Sequence, residues 1–92
     1  MAIESFRHKG LEGLFTRGKS AKIRQDMKSR LKLILDFLDG IEELDDCLGV
    51  RGFHELTGNR KGTYAMSVTG NYRVTFKYDK PAVLEVDLED YH

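Results

Sequence analysis

Apolar residues recur along this chain first at helical spacing and then at strand spacing. Over residues 8–15, Leu11, Leu14 and Phe15 fall on one helical face, and Gly18 is placed to end that helix. Ser20 is a candidate N-cap for a longer helix. In it Ile23, Met27, Leu31, Ile34, Leu35 and Leu38 follow at steps of three and four, and Asp39-Gly40 supplies the stop. Residues 2–6 can form a short first strand, and a short helical turn is possible through 41–48.

The period changes in the second half. Tyr64, Met66 and Val68 alternate with polar or small residues, as do Tyr72, Val74, Phe76 and Tyr78. Between the two rows lies Thr69-Gly70-Asn71. A two-residue turn would pair Val68 with Arg73 and send the apolar rows to opposite faces; a three-residue loop pairs Val68 with Tyr72 and Met66 with Val74. A slip of one residue inverts a whole face, so the three-residue loop is the consistent solution, and it directs Arg73, Thr75 and Lys77 away from the helices. After Asp79-Lys80-Pro81, Leu84, Val86 and Leu88 alternate with Glu85, Asp87 and Glu89 in a last strand. The order β-α-α-β-β-β predicts an α+β fold, with two N-terminal helices packed on one face of a mainly antiparallel sheet. No repeat or linker divides the chain, so residues 1–92 are read as one domain.

Charge adds a second pattern. The net charge of zero by itself argues against a nucleic-acid binder. Its distribution changes that view: Arg17, Lys19, Lys22, Arg24, Lys28, Arg30 and Lys32 stand against the single acid Asp26, whereas Asp36, Asp39, Glu42, Glu43, Asp45 and Asp46 follow without a base. A basic face can meet phosphates while the acidic stretch points elsewhere, although a solvated helix face followed by an acidic loop gives the same pattern. The lone Cys47 excludes an internal disulfide and any zinc site with two thiolates, and it suits a reducing compartment. No apolar run approaches the roughly 20 residues that span a membrane, and the start lacks the apolar core of a signal peptide. These features predict a cytoplasmic protein without membrane contact.

Candidate chemistry gathers late in the chain. His54 lies in Arg-Gly-Phe-His-Glu-Leu-Thr-Gly-Asn-Arg-Lys-Gly, and His92 ends the chain after Asp90-Tyr91. Any one histidine is an ordinary surface or core residue. His54, Arg73, Asp90, Tyr91 and His92 together are less ordinary, because a sheet can bring them to one polar face. Such a group suits cleavage of RNA, in which the 2′-hydroxyl loses a proton, the phosphorane gains charge and the 5′-oxygen takes a proton as it leaves. Imidazole serves either proton transfer, and a guanidinium on a strand offers a planar fork to the non-bridging oxygens. Asp90 can orient a histidine, and Tyr91 can stack on a base. No cofactor or metal is needed. A His54, Asp90 and His92 metal set ranks low, because the ligands are scattered and lie beside an arginine. Cys47 among acids is disfavoured as a thiolate nucleophile. The basic, glycine-bounded Gly58-Asn59-Arg60-Lys61-Gly62 either touches a phosphate backbone or is an ordinary turn.

The segment HELTGNRKGTYAMSVTGNYRVTFKY, the terminal EDYH and the start IESFRHKGLEGLFTRGK together resemble the HigB or "killer protein" family of the RelE/ParE toxin superfamily. The resemblance implies a compact microbial ribonuclease-like (RelE-like) fold and cleavage of messenger RNA in the ribosomal decoding site. It implies a helix-turn-helix, HigA-like antitoxin that neutralises the toxin, and contact with operator DNA only through that antitoxin. By position, His54, Arg73, Asp90, Tyr91 and His92 match the family's catalytic group, and Asn71 matches the residue placed to read a base, its amide suiting adenine. Lys22, Thr57, Arg60 and Lys61 are the accompanying candidates for RNA contact. Thr57 stands where well-studied members have a lysine, so a positive charge is missing there, for which Arg60 or Lys61 can substitute. Two other readings of the chain differ in class: a non-nuclease toxin acting on DNA gyrase, and a degenerate toxin that only joins its antitoxin as co-repressor.

Overall fold

The computed structural model describes residues 2–91. Helix α1 runs over Lys9–Arg17. Its N-cap is His8, whose Nδ1 accepts from the Leu11 N–H at 3.2 Å, so this third histidine closes a helix end. Gly18 ends the helix in the left-handed conformation (φ 78°), as the sequence predicts.

Helix α2 occupies Lys28–Asp39, a later start than the apolar period suggests. The Ser20 hydroxyl accepts from the Lys22 N–H at 3.2 Å in a local turn that competes with helix formation. Arg24 is then extended (ψ 137°), and a 3-10 turn at Gln25–Met27 leads into the helix. Ile23 and Met27 are nevertheless buried alongside Leu31, Ile34, Leu35 and Leu38. The apolar stripe therefore continues across a backbone that is only partly helical. A second 3-10 turn, Leu44–Cys47, is closed by a capping box of Glu43 and Asp46.

Four antiparallel strands form the sheet: β1 His54–Glu55, β2 Thr63–Ser67, β3 Tyr72–Asp79 and β4 Ala82–Asp90, in spatial order β1-β2-β3-β4. The two-residue β1 is too short to show an alternation in the sequence. Met66 pairs with Val74, and the Val68 N–H bonds the Tyr72 carbonyl at 2.9 Å, so the three-residue connection and its register are those expected. Leu11 and Leu14 of α1, the α2 stripe, and Met66, Val68, Val74, Phe76, Val83 and Val86 of the sheet form one hydrophobic cluster. The helices thus cover one sheet face and leave the other open.

Two expectations need correction. Residues 2–6 do not form a strand; Ile3 and Phe6 make isolated parallel bridges to Val83 and Val86. The alternation in β4 also changes phase, because Glu85 adopts a left-handed conformation (φ 53°) in a bulge opposite Phe76. Val83 is fully buried where Leu84 was expected, and Leu84 is only half-buried. Ser5 supports the bulge: its hydroxyl accepts from the Glu85 N–H at 2.8 Å and its carbonyl from the Val86 N–H at 3.1 Å.

Candidate active site

Side chains opposite one another in an antiparallel ladder share a face. The pairs Ser67–Arg73–Glu89 and His54–Ala65–Thr75–Asp87 therefore place Arg73, Glu89, His54 and Thr75 on the face that the helices leave open. Glu89 is the hub of this face. Arg60 donates to it through both terminal nitrogens, Nη1 to Oε1 at 2.9 Å and Nη2 to Oε2. Arg73 donates to Oε1 from Nε at 3.3 Å and from Nη2 at 3.1 Å, and the Thr75 hydroxyl donates to Oε2 at 3.0 Å. The Arg60 hydrogen bonds, with those of Thr75 and Arg73, hold the Glu89 carboxyl down at about 2 despite its partial burial. The same contact pushes the Arg60 guanidinium further up, with Asp87 as a weaker negative neighbour.

Arg60 reaches β4 because the β1–β2 connection folds over the open face. Glu55 closes this connection by accepting from the Gly62 N–H at 2.9 Å, where the backbone is left-handed (φ 96°) and favours glycine. Thr57 starts the 3-10 turn Gly58–Arg60 without a side-chain capping bond, and Lys61 follows it, exposed.

His54 is anchored by its neighbour in sequence, since Phe53 stacks on Tyr64 with ring centroids 5.6 Å apart. The His54 Nδ1 lies 2.9 Å from the Gly52 carbonyl oxygen. A carbonyl can only accept, so Nδ1 carries the proton and Nε2 of the neutral ring keeps its lone pair. In the ladder His54 stands two strands from Thr75, about 10 Å at ordinary strand spacing.

The chain end is tied in. The Tyr91 N–H bonds the Asn71 carbonyl at 2.7 Å, and the Tyr91 ring lies 4.5 Å from the Arg73 guanidinium carbon in a cation–π contact. Tyr91 thereby covers one side of Arg73 and joins the site to the β2–β3 turn. Asp90 pairs with Tyr72, one row from Arg73, on the helix-packed side of the ladder. His92 lies outside the described residues.

Asn71 borders a cleft of about 290 Å³ shared with Arg24, Asp26, Met27, Thr69, Gly70 and Tyr72. Arg24 lies 5.9 Å from the centre of the Tyr72 ring and pairs with Asp26 at 2.8 Å. Lys22 lies apart from the Glu89 cluster, beside Gly10 at the start of α1. Cys47 is fully buried, and burial with the nearby Asp46 charge pushes its thiol up to about 11. It is no nucleophile.

The structure therefore brings Arg60, Arg73 and Tyr91 together around Glu89, places His54 in an adjoining row, and links Asn71 through the backbone. Glu89 and Thr75 were missed as site residues. Alternation marked both as outward-facing, but only the register could show that Glu89 meets Arg73.

A family model described as a RelE-like toxin of the type II toxin–antitoxin system HigB matches residues 4–92. Endoribonuclease HigB of Proteus vulgaris is 31% identical over 91 residues, covering 98% of this chain and 99% of that protein. Among solved structures, YafQ of E. coli strain BL21(DE3) superposes with a TM-score of 0.61 at 20% identity, covering 96% of this chain and 90% of that one. The YoeB dimer of Staphylococcus aureus gives 0.62 at 16% identity, covering 100% and 97%. These two likenesses establish the RelE-like fold.

Proposed function

Since the chain belongs to the HigB-like family, the RelE-like toxins of type II toxin–antitoxin systems, we propose that it is an endoribonuclease that cuts messenger RNA on the ribosome. A toxin of this type has a cognate antitoxin as its partner. We read that antitoxin as a HigA-like helix-turn-helix protein, through which alone the toxin meets operator DNA. The reaction takes place in the cytoplasm, where translating ribosomes are. Among the described residues no helix is long and apolar enough to cross a membrane.

The observation that carries the reading is the fixing of Arg73 on an inner strand of the open face, held by Glu89 and covered by Tyr91. A guanidinium held in this way is ready for the charge that develops on a phosphorane. His54, its Nδ1 turned to the Gly52 carbonyl, uses Nε2 to remove the 2′-hydroxyl proton or to hold the nucleophile in line. His92 supplies the complementary proton transfer, Asp90 acts at the same chain end, and Tyr91 steers the scissile nucleotide. Asn71 reads a base at the cleft beside Arg24, and Lys22, Thr57, Arg60 and Lys61 contact the RNA backbone. The chemistry uses side chains alone, so no cofactor enters, and residues 1–92 act as one toxin domain.

Induced expression in a host tests this directly. Wild type is expected to arrest growth, co-expression of the antitoxin to relieve the arrest, and His92→Gln to abolish it with the thermal unfolding transition intact. Arrest by His92→Gln equal to wild type would remove the nuclease reading in favour of a protein target.

A further inference from the structure

The HigB resemblance implies a positive charge at the position of Thr57, and two nearby cations, Arg60 and Lys61, are candidates to replace it. Geometry separates them. Arg60 meets Glu89 together with Arg73, so the two guanidiniums converge from different elements on one carboxylate. Lys61 is exposed beyond the turn, with no part in this contact.

Each guanidinium uses two of its five N–H groups on Glu89. Arg60 meets the carboxylate through its two terminal nitrogens and keeps Nε–H free of it; Arg73 meets it through Nε and Nη2 and keeps Nη1. Among the described residues no other hydrogen bond takes the remaining donors, so both arginines can offer N–H groups to a second anion. Thr75 fixes the carboxylate from below at 3.0 Å. The side chains of Arg60 and Arg73 are 39% and 18% exposed, so Arg60 is the more accessible of the two.

We propose that Arg60 and Arg73, spaced by Glu89, form a two-guanidinium seat for the non-bridging oxygens of an RNA phosphodiester, with Arg60 supplying the charge absent at Thr57. Glu89 is a positioning residue: it aligns both arginines and does not touch substrate. The inference rests on the nuclease reading of the site and deepens it, placing Arg60 at the scissile phosphate beside Arg73 and giving Glu89 the task of spacing the two.

The test is single-turnover cleavage of a defined transcript on translating ribosomes, with full-length protein. Arg60→Ala is expected to lower the cleavage rate about 100-fold, as loss of one charge-stabilising donor does. Adding Thr57→Lys to that variant is expected to restore most of the rate. The Thr57 side chain makes no capping bond, which makes the position tolerant of this change. Glu89→Gln is expected to lower kcat more than it changes KM, by on the order of 100-fold at most. Cleavage by Arg60→Ala at the wild-type rate would overturn the proposal while leaving the nuclease reading intact.

A binding measurement decides the matter even if wild type cuts nothing and the nuclease reading fails. In nitrogen-15 NMR, a 2′-O-methyl oligoadenosine in large excess is expected to shift the guanidinium N–H signals of both Arg60 and Arg73. A shift of Arg73 alone, or of neither, would overturn the two-arginine seat. A rate loss in Arg60→Ala that Thr57→Lys does not rescue, with a lowered unfolding temperature, would assign Arg60 a structural role and also overturn it.

Discussion

Glu89 couples folding to pH. Its carboxyl lies near 2 rather than the ordinary 4.5, because Arg60 above all, then Thr75 and Arg73, hydrogen-bond the charged form. A depressed carboxyl pKa contributes stability that is complete above the unfolded value and disappears as pH falls through the folded one. The gap sets an upper bound of about 3 kcal/mol, which solvent screening at the 39% exposed Arg60 reduces. Glu89→Gln is therefore expected to lower stability by about 1–2 kcal/mol at pH 7. Denaturant unfolding across pH 7 to 2 should show that difference shrinking below about pH 4.5 and nearly vanishing at pH 2. A constant difference across that range would mean that the side chain matters for its shape and not its charge. In the same cluster Asp87 and Glu89 offset the charges of Arg60 and Arg73, so the face presents directed donors more than a strong positive field.

At the level of elements, the bulge in β4 decides what Arg73 meets. Near the β3–β4 turn Asp79 pairs with Ala82 and Lys77 with Leu84; beyond the bulge Thr75 pairs with Asp87 and Arg73 with Glu89. Continuing the first register without a bulge would set Leu88 opposite Arg73 and move Glu89 to the other face. Glu85 pays the local strain of φ 53° for this shift. Glu85→Gly removes about 1–2 kcal/mol of left-handed cost, against about 0.5–1 kcal/mol for the greater freedom of the unfolded chain. It should leave stability unchanged or raise it by up to about 1 kcal/mol, with activity unchanged, whereas deleting residue 85 should abolish both, as thermal unfolding and cleavage assays would show. The same bulge explains what the sequence did and did not make legible. The β2–β3 register follows from two apolar rows that must share a face, and Gly18 and the α2 stripe follow from period and caps. Nothing in the alternation of Leu84, Val86 and Leu88 reveals an extra residue, so the meeting of Glu89 with Arg73 stayed hidden. The late start of α2 was hidden for a related reason: Ile23 and Met27 reach the core from a backbone that is not helical, and apolar spacing does not record backbone angles. Of the expected site residues, Arg73 and Tyr91 meet directly, and Asn71 bonds Tyr91 through the backbone. Asp90 stands one row away from Arg73.

Across the whole molecule, a radius of gyration of 12.2 Å matches the roughly 12 Å of a well-packed chain of this length. Arg73 and His54 lie on an open sheet face, and the net charge is zero. A protein so built attracts free RNA weakly, because long-range affinity for nucleic acid comes mainly from phosphate neutralisation. Under the proposed function the ribosome presents, holds and exposes the substrate. On the proposed function, electrostatic balance on the open face, and not a missing catalytic group, would be the physical reason for ribosome dependence.

The most direct test is to map cuts on one defined transcript, naked and under translation, with wild type and Arg73→Ala. The account predicts discrete cuts by wild type only under translation, and none by Arg73→Ala although it folds with a cooperative transition. Equally efficient cutting of naked RNA, or undiminished cutting by Arg73→Ala, would contradict it.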